Sequence, residues 1–402
     1  MRPELEFVLL FAVATAVAIA TRRFRIPYTV ALVLVGLALG ALPLPARPTL
    51  TREFLFAIIL PGLIFEAAVH LRAEWLADTR AGIVALAVPG VLVALAVTTY
   101  LLLPVARALV PSFTMLDALA FAAATVATDP IAVVATFRAL KAPRRLSVLI
   151  EGESLLNDGT GVVVFNIVVA AAAGGVPSLS GAAVQFVLVS AGGALVGGVL
   201  ALVIVLILRR IDDSMIEVTL SVIAAYGSFA VAEQVGASGV IATVAAGLVC
   251  GGAARRGTHS AATLTALRTF WEYVSFALNS IVFLLIGLQV RLSALLQDWK
   301  PILLAYAIVT LVRFGVVFAT GAALRPTREA MPWRWTLIVG WSGLRGALAM
   351  VLALTLPASF VSRELVVHMT FGVVLLSIVV QGLTVAPLLR GLGIKPDVAA
   401  SA

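Results

Sequence analysis

Thr125-Val126-Ala127-Thr128-Asp129-Pro130-Ile131 lies inside an apolar run over 113–137, and its reading decides the fold. Proline has no N–H and its ring clashes with the carbonyl four residues back, so a helix through this run breaks near its middle. The run is long enough to cross hydrocarbon, and open backbone at that depth is tolerated only where protein or a wet cavity satisfies it. An aspartate and a threonine at the break can cap the second half-helix, and released carbonyls can help coordinate a cation. The plainer reading, a proline kink with Asp129 acting only as an N-cap, stays open at this point.

The composition places that run in lipid. Of 402 residues, 62% are hydrophobic and 12% charged, with a mean hydropathy of +1.12, where soluble domains carry about 25% charged residues. A spanning helix needs about 20 apolar residues. Thirteen runs qualify: 5–20, 27–45, 52–70, 82–106, 113–137, 146–174, 182–208, 214–234, 237–252, 265–290, 300–322, 332–356 and 364–389. With thirteen spans the loops alternate sides. One set, with Arg22, Arg23 and Arg25, then Arg138, Lys141, Arg144 and Arg145 among its clusters, holds nineteen of the 28 Lys and Arg. The other set holds seven, and Arg313 and Arg345 fall inside spans. The positive-inside rule then puts the N-terminus outside and the C-terminus in the cytoplasm of a plasma (inner) membrane. The net charge of +8 reads as topology, not as a nucleic-acid surface.

No cleavable signal is expected ahead of the run 5–20, because the basic cluster follows it. The lone Cys250 excludes an intramolecular disulfide. No linker-like stretch divides residues 1–402, so a single membrane domain is expected, and the tail after Arg390 is too short for a soluble regulatory domain.

An ionisable residue inside a bilayer costs at least about 2.5–3.5 kcal/mol on insertion scales, so each one asks for a reason. The candidates are Glu66, Asp129, Glu153, Asp158, Glu272, Arg313 and Arg345. The sixth span opens Glu151-Gly152-Glu153-Ser154-Leu155-Leu156-Asn157-Asp158-Gly159. Helical spacing puts Ser154 with Asp158 on one face and Glu153 with Asn157 on the next. Arg313 in span eleven needs a partner and Glu153 is a reasonable one, in a structural pair. The twelfth span holds Gly340-Trp341-Ser342-Gly343-Leu344-Arg345-Gly346-Ala347, where three glycines weaken the helix and admit a close neighbour. Arg345 there can balance a carboxylate cluster or stray helix-end carbonyls. Interruptions at spans five and twelve are seven spans apart, so they occupy equivalent places in two inverted six-helix repeats, 5–174 and 214–390, joined by helix 182–208. Paired broken helices are the sequence mark of a secondary transporter's site.

At these residues the chain resembles the monovalent cation:proton antiporters, in their sodium/proton exchanger branch. The resemblance rests on Leu60-Pro61-Gly62-Leu63-Ile64-Phe65-Glu66, Thr128-Asp129-Pro130 and Gly152-Glu153-Ser154-Leu155-Leu156-Asn157-Asp158, then on Phe276-Ala277-Leu278-Asn279-Ser280-Ile281-Val282-Phe283 and the Gly340–Ala347 block. It implies an all-α polytopic fold of about thirteen helices with broken helices 5 and 12 crossing, and a homodimer. It also implies Asp158 as the ion-binding carboxylate, with Na+ held by Asp158, Asp129, Ser154 and Thr128, and with Asn157 and Glu66 also among the ion-binding residues, Glu66 near the ion path. Glu153 with Arg313 is then the structural ion pair and Arg345 the arginine of the unwound helix. Electrogenic relatives carry Asp where Asn157 stands, so Asn157 implies one proton per cation. The chain departs from eukaryotic exchangers in having no long regulatory tail.

A physical account fits the exchange that the resemblance implies. A carboxylate withdrawn from water competes for a proton near neutral pH, so one such group, Asp158, holds either a proton or a dehydrated Na+ (or Li+). Alternating access to that group gives obligatory one-for-one exchange that ignores voltage, with no cofactor and no enzyme chemistry. K+/H+ exchange on the same architecture is the alternative. A remote rival is an intramembrane serine protease, because Gly236-Ala237-Ser238-Gly239 and Gly340-Trp341-Ser342-Gly343 share the form G-x-S-G. A nucleophilic serine needs a base within reach, and the three histidines, His70, His259 and His368, fall in loops or near helix ends.

Overall fold

Each of the thirteen apolar runs carries helix in the computed structural model of the chain, and the described residues contain no strand. Those residues are 3–24, 27–42, 51–172, 178–211, 213–255, 261–358 and 360–394. Positions 43–45 and 173–174 of two predicted spans, the cations Arg2, Arg25, Arg47, Arg256 and Lys395, and His259 lie outside them.

Seven runs form continuous helices of 21 to 30 residues, long and apolar enough to cross a membrane: Arg80–Leu109, Arg144–Ala172, Ser180–Leu208, Ser214–Gln234, Ala262–Gln289, Trp299–Ala323 and Arg363–Gly391. Four more form shorter apolar helices, Val8–Thr21, Tyr28–Gly40, Leu55–His70 and Gly239–Ala253. The remaining two runs are split. The run 113–137 becomes Met115–Thr125 and Ile131–Leu140, and the run 332–356 becomes Trp333–Trp341 and Ala347–Leu354. π turns at Leu55–Ile59, Leu86–Gly90, Ile223–Gly227 and Ser377–Gln381 widen four helices. That at Leu86–Gly90 contains Pro89, which has no N–H to give the helix.

The chain separates into two compact units. The first comprises residues 1–52, 79–157 and 280–402. Here Arg80–Leu109 packs on Trp299–Ala323, and Arg363–Gly391 packs on Trp299–Ala323, Met115–Thr125 and Ala347–Leu354. Local chemistry fixes the ends of these helices. Thr114 and Asp117 form a reciprocal capping box ahead of Met115–Thr125, and the other Asp117 oxygen accepts from the Ser362 N–H at 3.3 Å. Glu329 accepts from the N–H groups of Ala81 and Gly82, at 3.2 and 3.0 Å, where helix Arg80–Leu109 begins with open donors.

The second unit comprises residues 53–78 and 158–279. Helix Gly239–Ala253 packs on Leu55–His70 and on Leu179–Leu208. Side chains at Gly193 and Gly197 would overlap the carbonyls of Ser238 and Ala242, so this glycine pair is a packing device. Phe65 stacks on Trp271 with ring centroids 4.8 Å apart, and the Trp271 Nε1–H donates to Ser221 at 2.9 Å. Arg255 donates to the Val69 and Leu71 carbonyls, at 3.1 and 2.8 Å, and closes the open end of helix Leu55–His70.

Candidate functional site

The first unit contains both broken helices, and the backbone groups released at the breaks can be followed one by one. Val126, Ala127, Thr128, Asp129 and Pro130 lie between the two half-helices. Pro130 has no N–H to offer the Val126 carbonyl, and Arg345 supplies the missing donor through Nη1 at 2.6 Å. The Ile131 N–H turns to the Asp129 carboxylate, Oδ1 at 3.0 Å, so the Ala127 carbonyl also takes a bond from Arg345 Nη1, at 3.1 Å. Ser154 donates its hydroxyl to the Thr128 carbonyl. The Thr128 N–H donates to Asn157 Oδ1 at 3.2 Å, and the Asp129 N–H donates to the Leu344 carbonyl at 2.8 Å. Buried backbone polar groups must be paired, and at this break side chains from helix Arg144–Ala172 and from the second break pair them, with the Leu344 carbonyl.

The second break, at residues 342–346, is held in the same way. Its Leu344 carbonyl takes the Asp129 N–H, and the Arg345 N–H donates to Ser377 Oγ at 3.0 Å. The Val339 carbonyl, near the end of Trp333–Trp341, accepts from Arg313 Nη2 at 3.2 Å. The two breaks therefore bond to each other by backbone and by the Arg345 side chain.

One buried ion pair lies beside the breaks. Arg313 grips Glu153 with both forks, Nη1–Oε1 at 2.5 Å and Nη2–Oε2 at 2.7 Å, and Glu153 is 1% exposed. Arg345 is buried on neutral carbonyls, and Asp129 is partly buried. Pairing Glu153 with Arg313 answers the cost that lipid puts on each of the two.

Asn157 is committed to this frame. Its Nδ2 donates to Thr128 Oγ1 at 2.8 Å and to Glu153 Oε1 at 3.4 Å. A carboxylate at 157 could not make these donations and would face Glu153 as a like charge. Asp129 caps Ile131, as the plainer reading required, yet its second oxygen lies against Gly346. A Cβ at Gly346 would stand 2.5 Å from the Asp129 Cβ and 2.8 Å from its Cγ. Gly343 similarly makes room for the Arg313 side chain.

The other predicted residues lie in the second unit. Asp158, partly buried, follows Asn157 on the continuous helix Arg144–Ala172, one turn beyond Ser154. Glu66 is 16% exposed and pairs within its own helix with His70, Oε1 to Nδ1 at 3.3 Å. Glu272 stands on an open helix face beside Arg268, at 3.3 Å. Of the two G-x-S-G serines, Ser238 caps helix Gly239–Ala253 by accepting from the Ile241 N–H, and Ser342 is buried at the second break. His368 pairs with Asp298 at 2.7 Å. Among the described residues, no group of three His, Cys, Asp or Glu is arranged to hold a resident metal ion.

Sequence reasoning passed over Ser377 and the Val339 carbonyl. No local pattern marks them, because each matters only through a partner about thirty residues away in sequence.

Residues 8–391 match the family described as sodium/hydrogen exchanger, transmembrane. The chain is 35% identical to the Na+/H+ antiporter NhaG of Bacillus atrophaeus over 406 aligned residues, covering 98% of this chain and 75% of that one. It is 35% identical to the Na+/H+ antiporter NhaH of Halobacillus dabanensis, covering 97% and 98%. In fold it superposes on the sodium proton antiporter MjNhaP1 of Methanocaldococcus jannaschii with a TM-score of 0.79, at 20% identity, over 96% of this chain and 97% of that one.

Proposed function

Since the chain belongs to the sodium/hydrogen exchanger family, we propose that it is a secondary active transporter that exchanges Na+ (or Li+) for H+ across its membrane, one for one. The observation that carries this reading is the double break, in which side chains and backbone take up the released groups while the Asp129 carboxylate keeps one oxygen beyond its cap. Half-helices meeting at such a point are the usual architecture of a secondary transporter's ion site.

Asp158 is the carboxylate for which Na+ and H+ compete. Asp129, Ser154 and Thr128 support it, and the Thr128 carbonyl keeps a second lone pair after accepting from Ser154. Asn157 beside Asp158 holds the frame and carries no charge, which supports a single exchanged proton. The bias of basic residues supports an outside N-terminus and a cytoplasmic C-terminus. A homodimer is part of this reading, as is operation with no cofactor. A protease reading has nothing to support it at Ser238, whose hydroxyl serves the backbone.

The test is purified protein in liposomes with a trapped pH dye. Na+ and Li+ gradients are expected to move protons at a rate unchanged when valinomycin clamps the voltage, and a K+ gradient to move none. A rate that follows voltage would sink the one-for-one stoichiometry, and proton movement driven by K+ alone would return the alternative cation.

Gly346→Ala tests the close approach at the second break. Gly346 has φ −121° and ψ −161°, a conformation open to alanine, so the new methyl acts by contact, and the atoms nearest it belong to Asp129. Displacing a site group by about 1 Å costs on the order of 100-fold, and a rate loss of that order is expected in the same liposomes, with folding preserved on size exclusion.

A further inference from the structure

We infer that Ser377 is a positioning residue of the exchange site, acting on Asp129 through a single peptide group; this rests on the proposal that Asp129 helps to hold the cation. The peptide between Leu344 and Arg345 is held on both edges. Its carbonyl accepts from the Asp129 N–H at 2.8 Å, and its N–H donates to Ser377 Oγ at 3.0 Å. A peptide group is planar and trans, so its N–H and C=O point in opposite directions as one rigid body. Whatever fixes the N–H edge also aims the carbonyl at Asp129.

Ser377 is built for that task. It is 1% exposed, and its hydroxyl proton has a taker in the Val374 carbonyl at 2.9 Å, which leaves a lone pair for the Arg345 N–H. It opens the π turn Ser377–Gln381, where helix Arg363–Gly391 departs from regular geometry at this contact. Such turns appear frequently at functional sites. The same bond anchors the backbone from which the Arg345 side chain reaches the Val126 and Ala127 carbonyls. Ser377 sets the angle at which the second break presents itself to the first.

The experiment measures Na+ dependence of proton movement in liposomes for the full chain and for Ser377→Ala, Ser377→Cys, Ser377→Thr, Asp129→Asn and the Ser377→Ala/Asp129→Asn double variant. Cysteine fills the space of serine but accepts a hydrogen bond poorly. With one neutral hydrogen bond at stake, Ser377→Ala and Ser377→Cys are expected to raise the half-saturating Na+ concentration about three- to tenfold, with maximal rate held. Ser377→Thr, which keeps the hydroxyl, is expected to restore the wild-type value. Should the added methyl prevent folding, the agreement of Ala with Cys carries the test. In the Asp129→Asn background the Ser377→Ala change is expected to add nothing.

A wild-type half-saturation in Ser377→Ala beside an altered one in Asp129→Asn overturns the role of Ser377 alone. So does a cysteine variant that behaves as wild type, which would mean that volume and not hydrogen bonding matters. Fully additive effects in the double variant overturn the route through Asp129. An Asp129→Asn protein with wild-type Na+ dependence overturns the underlying reading of the site.

Discussion

Asp158→Asn is expected to reduce Na+-driven proton movement to the level of empty liposomes, while the protein still extracts, purifies and elutes as the wild type does. Asparagine has nearly the shape of aspartate, so the partly buried position on helix Arg144–Ala172 loses no packing. What it loses is the ability to exist in two forms, one that holds a proton and one that binds a cation. Exchange by competition needs both, and no amount of residual affinity elsewhere replaces a group that must alternate. Asp158→Glu keeps both forms with the carboxylate one methylene further out. It is expected to retain exchange with an altered Na+ half-saturation. The comparison separates chemistry from geometry. If Asp158→Asn still exchanges, the competing carboxylate is another residue and Asp129 becomes the first to examine. If Asp158→Glu is as inactive as Asp158→Asn, placement dominates and the coordination shell is rigid.

Much of the arrangement behind that expectation was legible in the residues, and the reasons are local. Pro130 removes a donor wherever it sits in a helix, so the break at Thr128-Asp129-Pro130 needed no knowledge of tertiary structure. The apolar runs read directly as helices because lipid permits a spanning segment few other forms. Glu153 and Arg313 could be paired in advance because a lone buried charge is too costly to leave unmet. Other features depend on partners that spacing does not encode. Arg345 had two possible duties, and its assignment to the Val126 and Ala127 carbonyls depends on how the two broken helices lie together. The π turn at Ser377–Gln381 is a one-residue slip of hydrogen bonding with no signature in composition. Asn157 read as an ion ligand by resemblance, and its amide proves to be engaged on Thr128 and Glu153. The division of the chain into two compact units likewise has no linker to announce it.

Arg313→Ala is expected to cost the protein its fold in detergent, and the reason lies in what the substitution leaves behind. Glu153, 1% exposed, would keep one weak bond from Asn157 and lose both guanidinium bonds. Removing one partner of a buried pair typically destabilises by about 3–5 kcal/mol, a large share of the roughly 5–15 kcal/mol that holds a domain together. The Val339 carbonyl would lose its donor as well. Neutralising both partners is a different matter. Glu153→Gln with Arg313→Gln removes both charges while keeping amide groups that can bond each other, Asn157 and Val339. This double variant is expected to recover most of the thermal stability lost by either single change, as buried ion pairs are often replaceable by neutral groups. Thermal melting of the purified proteins measures the stabilities, and the liposome assay measures exchange. Recovery of both would assign the pair to holding helix Trp299–Ala323 against helix Arg144–Ala172 and the Trp333–Trp341 end. Recovery of stability without exchange would give Glu153 or Arg313 a part in the transport cycle beyond the structural one, because the frame would then stand while the exchange it supports does not run.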